Sequence, residues 1–416
     1  MLVKCTIFSR TMPFTTLETT NFPLYAVNVL DREHFLIAGG GGAAKTGVPN
    51  ALNIYKLGTD GKELKASLVH NFEAGRRAIM NCAIHPTANV LAAGMDNKCQ
   101  LLEVDVKEEE VQIEKLEGRK AKVMTKKKIK KFKVNELQSK VTVSADDGDE
   151  KDEDLGFQKV VRFTADGKHV VTGGSDGHVR VLKYPSLESV HDIKAHSTDV
   201  DDLDVHPNSN WFVTCSRDTT AYVWRLEEGR KQFQLYFSAN NEPENFFRIR
   251  ACRFGCDERK NVSLFTINVP AKFNRKTPTP SYLVKWDCSK WLPQMSQSAG
   301  FEPLTQMAVS GNGIYVGVGT AEGDISVYIS WNLVPLVTLK GVHNIFVTGL
   351  SFLPDSPLVA NKLRNEFALL SISADNTCKV TTLKKRSEYS IWWILVGFLV
   401  LLYLTIMALA YAGFDL

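Results

Sequence analysis

A glycine-rich segment near the N-terminus holds the residues best suited to chemistry. Residues 39–50 read GGGGAAKTGVPN and follow an apolar, strand-like run. The segment matches the phosphate-binding pattern G-x-x-x-x-G-K-[ST] at its first glycine and at Lys45 and Thr46, but Ala44 stands where the second glycine belongs. A P-loop also leads directly into a helix whose amides bind phosphate, whereas Pro49 removes an amide here. The segment therefore predicts a loop between two strands rather than a nucleotide-hydrolysing site.

The glycines of this loop can be interpreted in two ways. A wide turn needs residues that tolerate positive φ, which is the ordinary reason for glycine. Four successive glycines followed by Val48-Pro49 exceed that need, because each glycine loses more backbone entropy on folding than any other residue. We therefore predict a functional loop at residues 39–50, in which Lys45 is a solvated charge.

Histidines and carboxylates elsewhere do not form a catalytic pattern. His196 and His206 have no second ligand at zinc spacing, so we interpret them as structural hydrogen-bonding residues. Asp176 and Asp218 fall in short turn sequences and are interpreted as turn residues. Because no Ser-His-Asp arrangement or paired carboxylate is recognisable, we do not expect the chain to perform covalent chemistry of its own.

An uncharged segment lies near the C-terminus. Residues 391–412 read IWWILVGFLVLLYLTIMALAYA, and as a helix they would be about 33 Å long, enough for a bilayer core of about 30 Å. The basic run Lys384–Arg386 precedes them, which places the N-terminal part in the cytosol by the positive-inside rule. We predict a juxtamembrane segment at 385–390, a single transmembrane helix at 391–412 and a lumenal tail at 413–416.

A repeated pattern defines the rest of the chain. Residues 196–224 contain a histidine, an apolar strand, a second strand, an Asp-containing turn and a strand that ends on Val-Trp, and residues 160–181 follow the same order. This pattern is typical of a WD repeat. Weaker copies begin near Ala26, Met80, Ala251, Met307 and Thr348, with turns at Met95-Asp96-Asn97, Ala321-Glu322-Gly323 and Ala374-Asp375-Asn376.

Seven such units determine the predicted fold class. One unit cannot bury its apolar face alone, so the units should close into a ring of four-stranded blades. We predict an all-β fold, a seven-bladed WD-repeat β-propeller at residues 21–384, followed by the C-terminal transmembrane helix. Residues 1–20 are assigned to an N-terminal extension.

One stretch of the predicted propeller has a different composition. Residues 104–154 contain few aromatic side chains, a basic part at 119–133 and an acidic part at 146–154. Blocks of like charge bury too little apolar surface to fold alone. We therefore predict an exposed, solvated insertion at 104–154, from which only Phe132–Leu137 is expected to return as a strand.

The glycine loop in the first unit, combined with the membrane segment, resembles a known family. It is similar to the endoplasmic-reticulum exchange factors that activate the Sar-type small GTPase and start COPII coat assembly, in particular to their animal branch, the prolactin regulatory element-binding proteins. The resemblance covers nearly the whole chain except the variable insertion at 104–154. The segments that carry it are Phe22–Ala26, Ala38–Gly47, Met80-Asn81, Ala251–Gly255 and the final apolar span.

This resemblance implies a guanine-nucleotide exchange factor in the endoplasmic reticulum membrane, with a single span and a cytosolic propeller. It implies the Sar-type GTPase, the membrane and COPII accessory or tethering proteins as partners, and no nucleotide bound directly. Val48 would be the apolar tip of the loop and Asn50 its polar closing residue. A potassium ion would be held by the backbone carbonyls of Gly39, Gly40, Gly41 and Gly42, and the GTPase would be engaged by Thr46, Gly47, Val48, Pro49 and Asn50.

Two other functions are consistent with parts of the sequence. A membrane-tethered WD-repeat scaffold without exchange activity would share the fold, because propellers serve many roles. A DNA-binding transcription regulator would use the basic run Lys126–Lys131, which can bind phosphates but supplies no element that reads bases. For that reason nucleic acid is not expected as a partner.

Overall fold

The described residues of the computed structural model form seven four-stranded antiparallel sheets, of which six combine strands consecutive in sequence and one combines the first strand with the last three. The structure describes residues 14–19, 21–43, 47–61, 63–117, 121–144, 156–239, 246–272, 274, 276–354, 365–385 and 391–411, with the backbone alone at 111–117, 121–127, 391–395 and 409–410. The chain therefore has the predicted all-β architecture of a seven-bladed propeller, each sheet being one blade.

The strands of the first four blades run outward from the centre in chain order. Blade 1 comprises β2 (Leu24–Val29), β3 (His34–Gly39), β4 (Ala51–Thr59) and β5 (Leu64–Glu73). Blade 2 comprises β6 (Ile79–Ile84), β7 (Val90–Met95), β8 (Lys98–Glu117) and β9 (Ala121–Val141). Blade 3 comprises β10 (Gln158–Phe163), β11 (His169–Gly174), β12 (His178–Lys183) and β13 (Glu188–Lys194). Blade 4 comprises β14 (Val200–Val205), β15 (Trp211–Ser216), β16 (Ala221–Arg225) and β17 (Arg230–Gln234).

The last three blades complete the ring. Blade 5 comprises β18 (Phe247–Cys256), β19 (Val262–Pro270), β20 (Tyr282–Asp287) and β21 (Leu292–Ser298). Blade 6 comprises β22 (Leu304–Val309), β23 (Tyr315–Thr320), β24 (Ile325–Ile329) and β25 (Pro335–Leu339). Blade 7 comprises β26 (Val347–Phe352), β27 (Asn365–Ser373), β28 (Cys378–Lys384) and β1 (Phe14–Leu17).

The hydrophobic core is divided among the gaps between neighbouring blades. One apolar cluster joins Leu36 and Leu52 of blade 1 to Leu91 and Leu102 of blade 2, and equivalent clusters fill the other gaps. Each blade is therefore covered on both faces, which explains why second strands such as β3 and β7 are buried at every residue. No blade could bury these faces alone.

The tight turns follow the predicted chemistry. Asp96, Gly323 and Asn376 have positive φ angles of 51°, 85° and 65°, and each lies between the second and third strands of its blade. Asp and Asn tolerate this conformation better than other residues with a Cβ atom, and Gly has no such restriction. The three turn assignments are confirmed.

The boundary predicted for the N-terminal extension is wrong. Phe14–Leu17 form β1, which pairs with β28 from Phe14 opposite Thr381 to Leu17 opposite Cys378. The last repeat supplies only three strands of its own, so the outer edge of β28 would otherwise have unpaired backbone groups. Leu17 is 2% exposed and belongs to the core between blades 7 and 1. The first described strand thus closes the ring.

The insertion predicted at 104–154 is exposed at residues 107–110 as expected, but its first part forms strands rather than the predicted solvated loop. β8 and β9 have 20 and 21 residues, against 4 to 10 in the other strands, and they pair from Lys98 opposite Val141 to Glu117 opposite Ala121. The register places acids of β8 beside lysines of β9, and Lys131 Nζ lies 2.6 Å from Glu109 Oε2. Opposite charges on paired strands remove the repulsion that each run would have alone. The strand predicted at Phe132–Leu137 is confirmed, and the acidic run at 146–154 lies outside the described residues.

The C-terminal segment contains α1 (Ile391–Tyr411), in which the sequence has no charged residue. Side chains of α1 are described at 396–408 and 411, and among the described residues no helix is long and apolar enough to cross a membrane. The transmembrane helix at 391–412 therefore stays a prediction, as does the lumenal tail at 413–416, which lies outside the described residues.

The propeller has two faces. Innermost strands of neighbouring blades run in the same direction, since the first residues of β2 and β26 adjoin through the Thr348 Oγ1 bond to Leu24 O. The glycine-loop face, defined as the side that carries residues 40–43 and 47–50, contains the connections between second and third strands and those between blades. The ribbon face, defined as the side beyond which β8 and β9 extend, contains the remaining turns.

Candidate functional site

The glycine-rich segment connects β3 to β4, so it runs from strand to strand as predicted and no helix follows it. Gly39 is the last residue of β3, where it pairs with Leu24 on one side and Ala51 on the other. A Cβ atom at Gly39 would lie 1.9 Å from Pro23 O. Only glycine allows that close approach of two backbones.

At Gly40, both the backbone conformation and the available space exclude a side chain, whereas at Gly39 only the space does. The φ angle of Gly40 is +141°, and a Cβ atom here would lie 2.2 Å from Asn50 Oδ1 and 2.6 Å from Asn50 Cα. Its amide donates a 3.0 Å hydrogen bond to Pro23 O. The two ends of the loop therefore cross at Gly40 and Asn50 in van der Waals contact.

Asn50 closes the loop through three side-chain hydrogen bonds. Its Oδ1 accepts from the Gly42 amide at 2.9 Å, and its Nδ2 donates to Gly42 O at 3.1 Å and to Gly75 O at 3.0 Å. The side chain is buried, and the backbone Asn50 O accepts from the Ala74 amide at 2.8 Å. The loop is thus fixed both to itself and to the connection between blades 1 and 2, which is the closing position predicted for Asn50.

Gly42 and Gly47 serve backbone conformation rather than packing. Gly42 and Gly47 have φ angles of +75° and +78°, and a Cβ atom at either would meet nothing within 4 Å. These glycines turn the chain out of and back into the sheet. Gly47 and Pro49 are exposed on the glycine-loop face, and Lys45 and Thr46 lie outside the described residues.

Val48 does not have the position predicted for a projecting apolar tip. Its side chain is half-buried and packs against the core between blades 7 and 1, the cluster that contains Leu17 and Phe22. Burial of an isopropyl group there is favourable by the hydrophobic effect, which pulls the side chain towards the sheet. The exposed part of Val48, between Gly47 and Pro49, remains accessible to a partner.

The chemistry of the loop oxygens is compatible with a potassium ion. Backbone carbonyls suit this large, oxygen-seeking cation, and glycine lets several converge. Gly42 O already accepts from Asn50 Nδ2, although a carbonyl oxygen has a second lone pair. Among the described residues no group of three or more His, Cys, Asp or Glu side chains could hold a metal ion, a finding that does not address carbonyl ligands. The potassium site at Gly39, Gly40, Gly41 and Gly42 stays a prediction.

His196 satisfies the structural role predicted for it. Its Nδ1 lies 2.8 Å from Thr220 Oγ1 and its Nε2 lies 2.8 Å from Thr214 Oγ1, which also accepts from Trp224 Nε1 at 2.9 Å. Asp218 accepts from the Ser197 and Thr220 amides, the turn role that was predicted. Burial raises the pKa of Asp218, but hydrogen bonds from His196 and Thr220 outweigh it and hold the pKa well below its usual range.

Blade 7 repeats this network with different residues. His343 Nδ1 lies 2.8 Å from Thr377 Oγ1 and its Nε2 lies 2.8 Å from Ser371 Oγ. Burial lowers the pKa of His343 to about 4 despite the nearby carboxylate of Asp375. The imidazole is therefore neutral at physiological pH and serves as a hydrogen-bonding link within the blade.

His206, predicted to be a structural hydrogen-bonding residue, and Asp176, predicted to be a turn residue, also have structural partners. His206 Nδ1 accepts from the Asn208 amide at 3.1 Å, which caps the turn between β14 and β15. Asp176 accepts from the His178 amide at 3.1 Å and forms an ion pair of 2.8 Å with Arg180 Nη2. The interpretation of both residues as structural is confirmed.

An ion network at the centre of the ring was not predicted from the sequence. Arg162 Nη2 lies 3.4 Å from Asp202 Oδ1, and Arg162 Nε lies 3.4 Å from Asp204 Oδ1. Arg253 also pairs with Asp202, and Asp204 Oδ2 accepts from the Phe254 amide at 2.7 Å. Arg162, Asp202 and Arg253 border a central cavity of about 390 Å³. The pattern Asp-x-Asp on the innermost strand β14 was the available signal.

The network joins blades 3, 4 and 5 rather than forming a reactive site. Burial raises the pKa of Asp204, and the Arg253 and Arg162 guanidinium groups act in the opposite direction. Charges buried in this way need such partners, because an unpaired buried charge is strongly unfavourable. We therefore assign the network to the structure of the ring.

Known proteins similar to this chain include WD-repeat proteins and guanine nucleotide-exchange factors. The model of the family "WD domain, G-beta repeat" matches residues 159–182 and 187–225, which are parts of blades 3 and 4. The chain is 36% identical over 409 residues to the guanine nucleotide-exchange factor SEC12 of Rattus norvegicus, covering 94% of this chain and 97% of that protein, and the figures for the Mus musculus protein are the same. It is 29% identical over 270 residues to SEC12-like protein 1 of Arabidopsis thaliana, covering 63% of this chain and 60% of that protein.

Proposed function

We propose, because the chain belongs to the family of the SEC12 guanine nucleotide-exchange factors, that it releases guanine nucleotide from a Sar-type small GTPase and so initiates COPII coat assembly. The similarity over nearly the full length of both proteins is the observation that carries this proposal. It favours an exchange factor over a scaffold that shares only the fold.

The loop at 39–50 is the element that we assign to the GTPase. Asn50 and the crossing at Gly40 fix the described ends of this loop, residues 39–43 and 47–50, so binding would not have to order those ends first. The residues that would engage the GTPase are Thr46, Gly47, Val48 and Pro49, with Asn50 holding the loop shape. The carbonyls of Gly39, Gly40, Gly41 and Gly42 would hold potassium if the cation is used.

Exchange by such a loop needs no covalent step. A factor that binds the nucleotide-free GTPase more tightly than the nucleotide-bound form lowers the affinity for nucleotide by the same coupling free energy. Abundant cytosolic GTP then fills the vacated site. The described part of the loop, residues 39–43 and 47–50, contains no ionisable side chain, which fits a role in contact and shape rather than in proton transfer.

The membrane anchor belongs to the same proposal. Residues 391–412 contain no charge, and side chains such as Phe398, Leu399 and Leu401 are more than 60% exposed in α1. A helix that exposes this much apolar surface is suited to lipid rather than to water. We assign α1 to a single span of the endoplasmic reticulum membrane, with the propeller on the cytosolic side.

Release of fluorescent GDP from a Sar-type GTPase tests the proposal. The full chain is reconstituted into liposomes, excess GTP is added, and the parent is compared with Val48→Ala and with Val190→Ala, which changes an exposed valine on the outer strand β13. We expect release to be fast with the parent and Val190→Ala, and at least about tenfold slower with Val48→Ala, because central interface residues carry most binding energy.

Thermal denaturation shows whether Val48→Ala is folded, since this side chain also contacts the core. A folded parent that does not accelerate release would identify a membrane-tethered scaffold. Equal rates for the two valine variants would show that exchange does not depend on this loop.

A further inference from the structure

We propose that the GTPase also docks beyond the loop at 39–50, on the apolar pair Ile345 and Phe346 in the connection between blades 6 and 7. The pair holds the GTPase against the propeller while the loop acts on it. This inference rests on the proposed exchange function and adds to it a second contact surface for the same partner.

The loop alone is too small for a specific interface between two proteins. Such interfaces bury about 800 Å² on each partner, contributed by roughly 20 to 30 residues. The loop comprises only residues 39–50, and one of them, Asn50, is buried. A GTPase that contacts the loop must therefore also cover neighbouring surface on the glycine-loop face.

The packing of Val48 gives the direction of that surface. Its side chain packs against the core between blades 7 and 1, so its exposed part lies on the side of the loop that adjoins blade 7. In that direction the chain presents first the connection between blades 7 and 1, then the turn between β27 and β28, and then the connection between blades 6 and 7.

Hydrogen bonds join these three segments to the loop. The connection between blades 7 and 1, to which the Gly40 amide is bonded, contains Asn21, whose Oδ1 accepts from Asn376 Nδ2 at 2.9 Å. Asn376 lies in the turn between β27 and β28, and Ser373 Oγ, at the end of β27, donates to Phe346 O at 2.8 Å. The loop and the apolar pair are therefore parts of one connected surface.

Ile345 and Phe346 expose apolar side chains that do not contribute to the core. They are 39% and 45% exposed, and neither belongs to an apolar cluster of the described residues. Their neighbours Val342, His343 and Val347 are all buried. Because aromatic side chains are enriched at the centre of interfaces, the pair provides suitable contact area beside the loop.

The backbone that carries the pair is held by the blades on both sides of it. The Asn344 amide donates to Asp375 Oδ2 at 2.9 Å, and the His343 amide donates to Gly323 O at 3.0 Å. A Cβ atom at Gly323 would lie 2.9 Å from Ile345 O, which shows how closely the connection packs on that turn. Binding would therefore order two side chains but not their backbone, which lowers the entropy cost of association.

Phe157 represents the alternative direction. It is 53% exposed in the connection between blades 2 and 3, on the opposite side of the loop. The intervening connection between blades 1 and 2 carries the exposed cations Arg76 and Arg77, and charged residues are depleted at the centre of interfaces. We therefore assign the GTPase to the side of blade 7, and binding over blade 2 becomes one outcome of the test.

Exchange kinetics of the full chain in liposomes test the docking surface. GDP release is measured over a range of concentrations of the Sar-type GTPase for the parent, Phe346→Ala and the matched control Phe157→Ala. A contact that only holds the partner changes the half-saturating concentration and not the maximal rate. We expect Phe346→Ala to raise the half-saturating concentration at least about fivefold with an unchanged maximal rate, and Phe157→Ala to change neither.

Thermal denaturation shows whether the variants are folded, and Ile345→Ala is used in place of Phe346→Ala if the latter is not. Amide exchange in the parent provides a measurement that needs no variant. We expect exchange at residues 344–346 to be slower when the nucleotide-free GTPase is bound. Unchanged exchange there, with the GTPase bound, would overturn the docking surface.

The kinetic outcomes separate this surface from the exchange function. Equal kinetics for folded Phe346→Ala and an active parent overturn the docking surface and leave the proposed function intact. A reduced maximal rate without a change in the half-saturating concentration also overturns it, as does a larger effect of Phe157→Ala, which would indicate binding over blade 2. A folded parent that does not accelerate GDP release overturns the exchange function and the docking surface together.

Discussion

At Gly40 the backbone itself limits which residues the loop can contain. Its φ angle of +141° lies in a region that residues with a Cβ atom avoid, and Asn50 occupies the space where a Cβ would be. Four glycines of the loop at 39–50 are therefore of two kinds. Gly39 and Gly40 allow close packing, whereas Gly42 and Gly47 allow the chain to turn in open space.

This difference gives a matched pair of substitutions. We expect Gly40→Ala to lower the free energy of unfolding by at least about 2 kcal/mol and to reduce exchange, because the strained φ and the clash with Asn50 act together. Gly42→Ala should cost about 1 kcal/mol, since its φ of +75° is strained but its surroundings are open. Urea denaturation and GDP release provide the two measurements. Similar losses in both variants would contradict the separation of roles.

The neutral His343 predicts a pH dependence of stability. Its pKa is about 4 in the folded chain against 6.5 for an unperturbed imidazole, so between these values the unfolded state binds more protons. The free energy of unfolding should fall as pH decreases from 6.5 to about 4, by on the order of 3 kcal/mol from this residue. In His343→Gln, this decrease in the free energy of unfolding should be absent when urea denaturation is repeated between pH 6.5 and about 4. An unchanged slope would assign the pH dependence to other groups.

At the scale of elements, two strands show how distant partners override local composition. β1 is a short segment with no strand partner nearby in sequence, and it is a strand because the edge of β28 is available on the other side of the ring. β8 and β9 are highly charged, and they remain strands because the acids of one face the lysines of the other. In each case, contacts with the paired strand stabilise a strand that the segment would not form alone.

Closure of the ring by β1 can be tested with two adjacent side chains. Leu17 is buried in the core between blades 7 and 1, whereas Thr16 is exposed. We expect Leu17→Ala to lower the free energy of unfolding by about 2 to 4 kcal/mol and Thr16→Ala to change it by less than about 0.5 kcal/mol. Chemical denaturation followed by circular dichroism measures both. A small effect of Leu17→Ala would show that β1 is not needed for the closed ring.

At the scale of the whole molecule, we assign GTPase binding and membrane attachment to opposite faces of the ring. The loop at 39–50 lies on the glycine-loop face, while Lys384 and the paired strands β8 and β9 leave from the ribbon face. With α1 anchored, the loop would be directed away from the bilayer by the thickness of the propeller, about 20 Å for strands of six residues. A GTPase could then approach the loop from the cytosol.

Fluorescence quenching by labelled lipid would measure this orientation. Lys290 lies in the turn between β20 and β21 on the ribbon face, and Lys340 follows β25 on the glycine-loop face, both exposed. We expect a fluorophore on Lys290→Cys to be quenched more strongly than one on Lys340→Cys in the reconstituted chain, because it is closer to the lipid. Stronger quenching at Lys340→Cys would reverse the assigned orientation.

The repeat, the turns and the position of the loop could all be predicted from the amino-acid sequence. Those features depend on local rules: the spacing of apolar strands, residues such as Asp96 and Asn376 that tolerate positive φ, and a proline that prevents a helix after Thr46. Only the tertiary structure showed that Val48 packs on the core, that Phe14–Leu17 close the ring and that Arg162 and Asp202 meet at its centre. These contacts join residues far apart in the chain, and no local propensity specifies which distant surface will be available to pair.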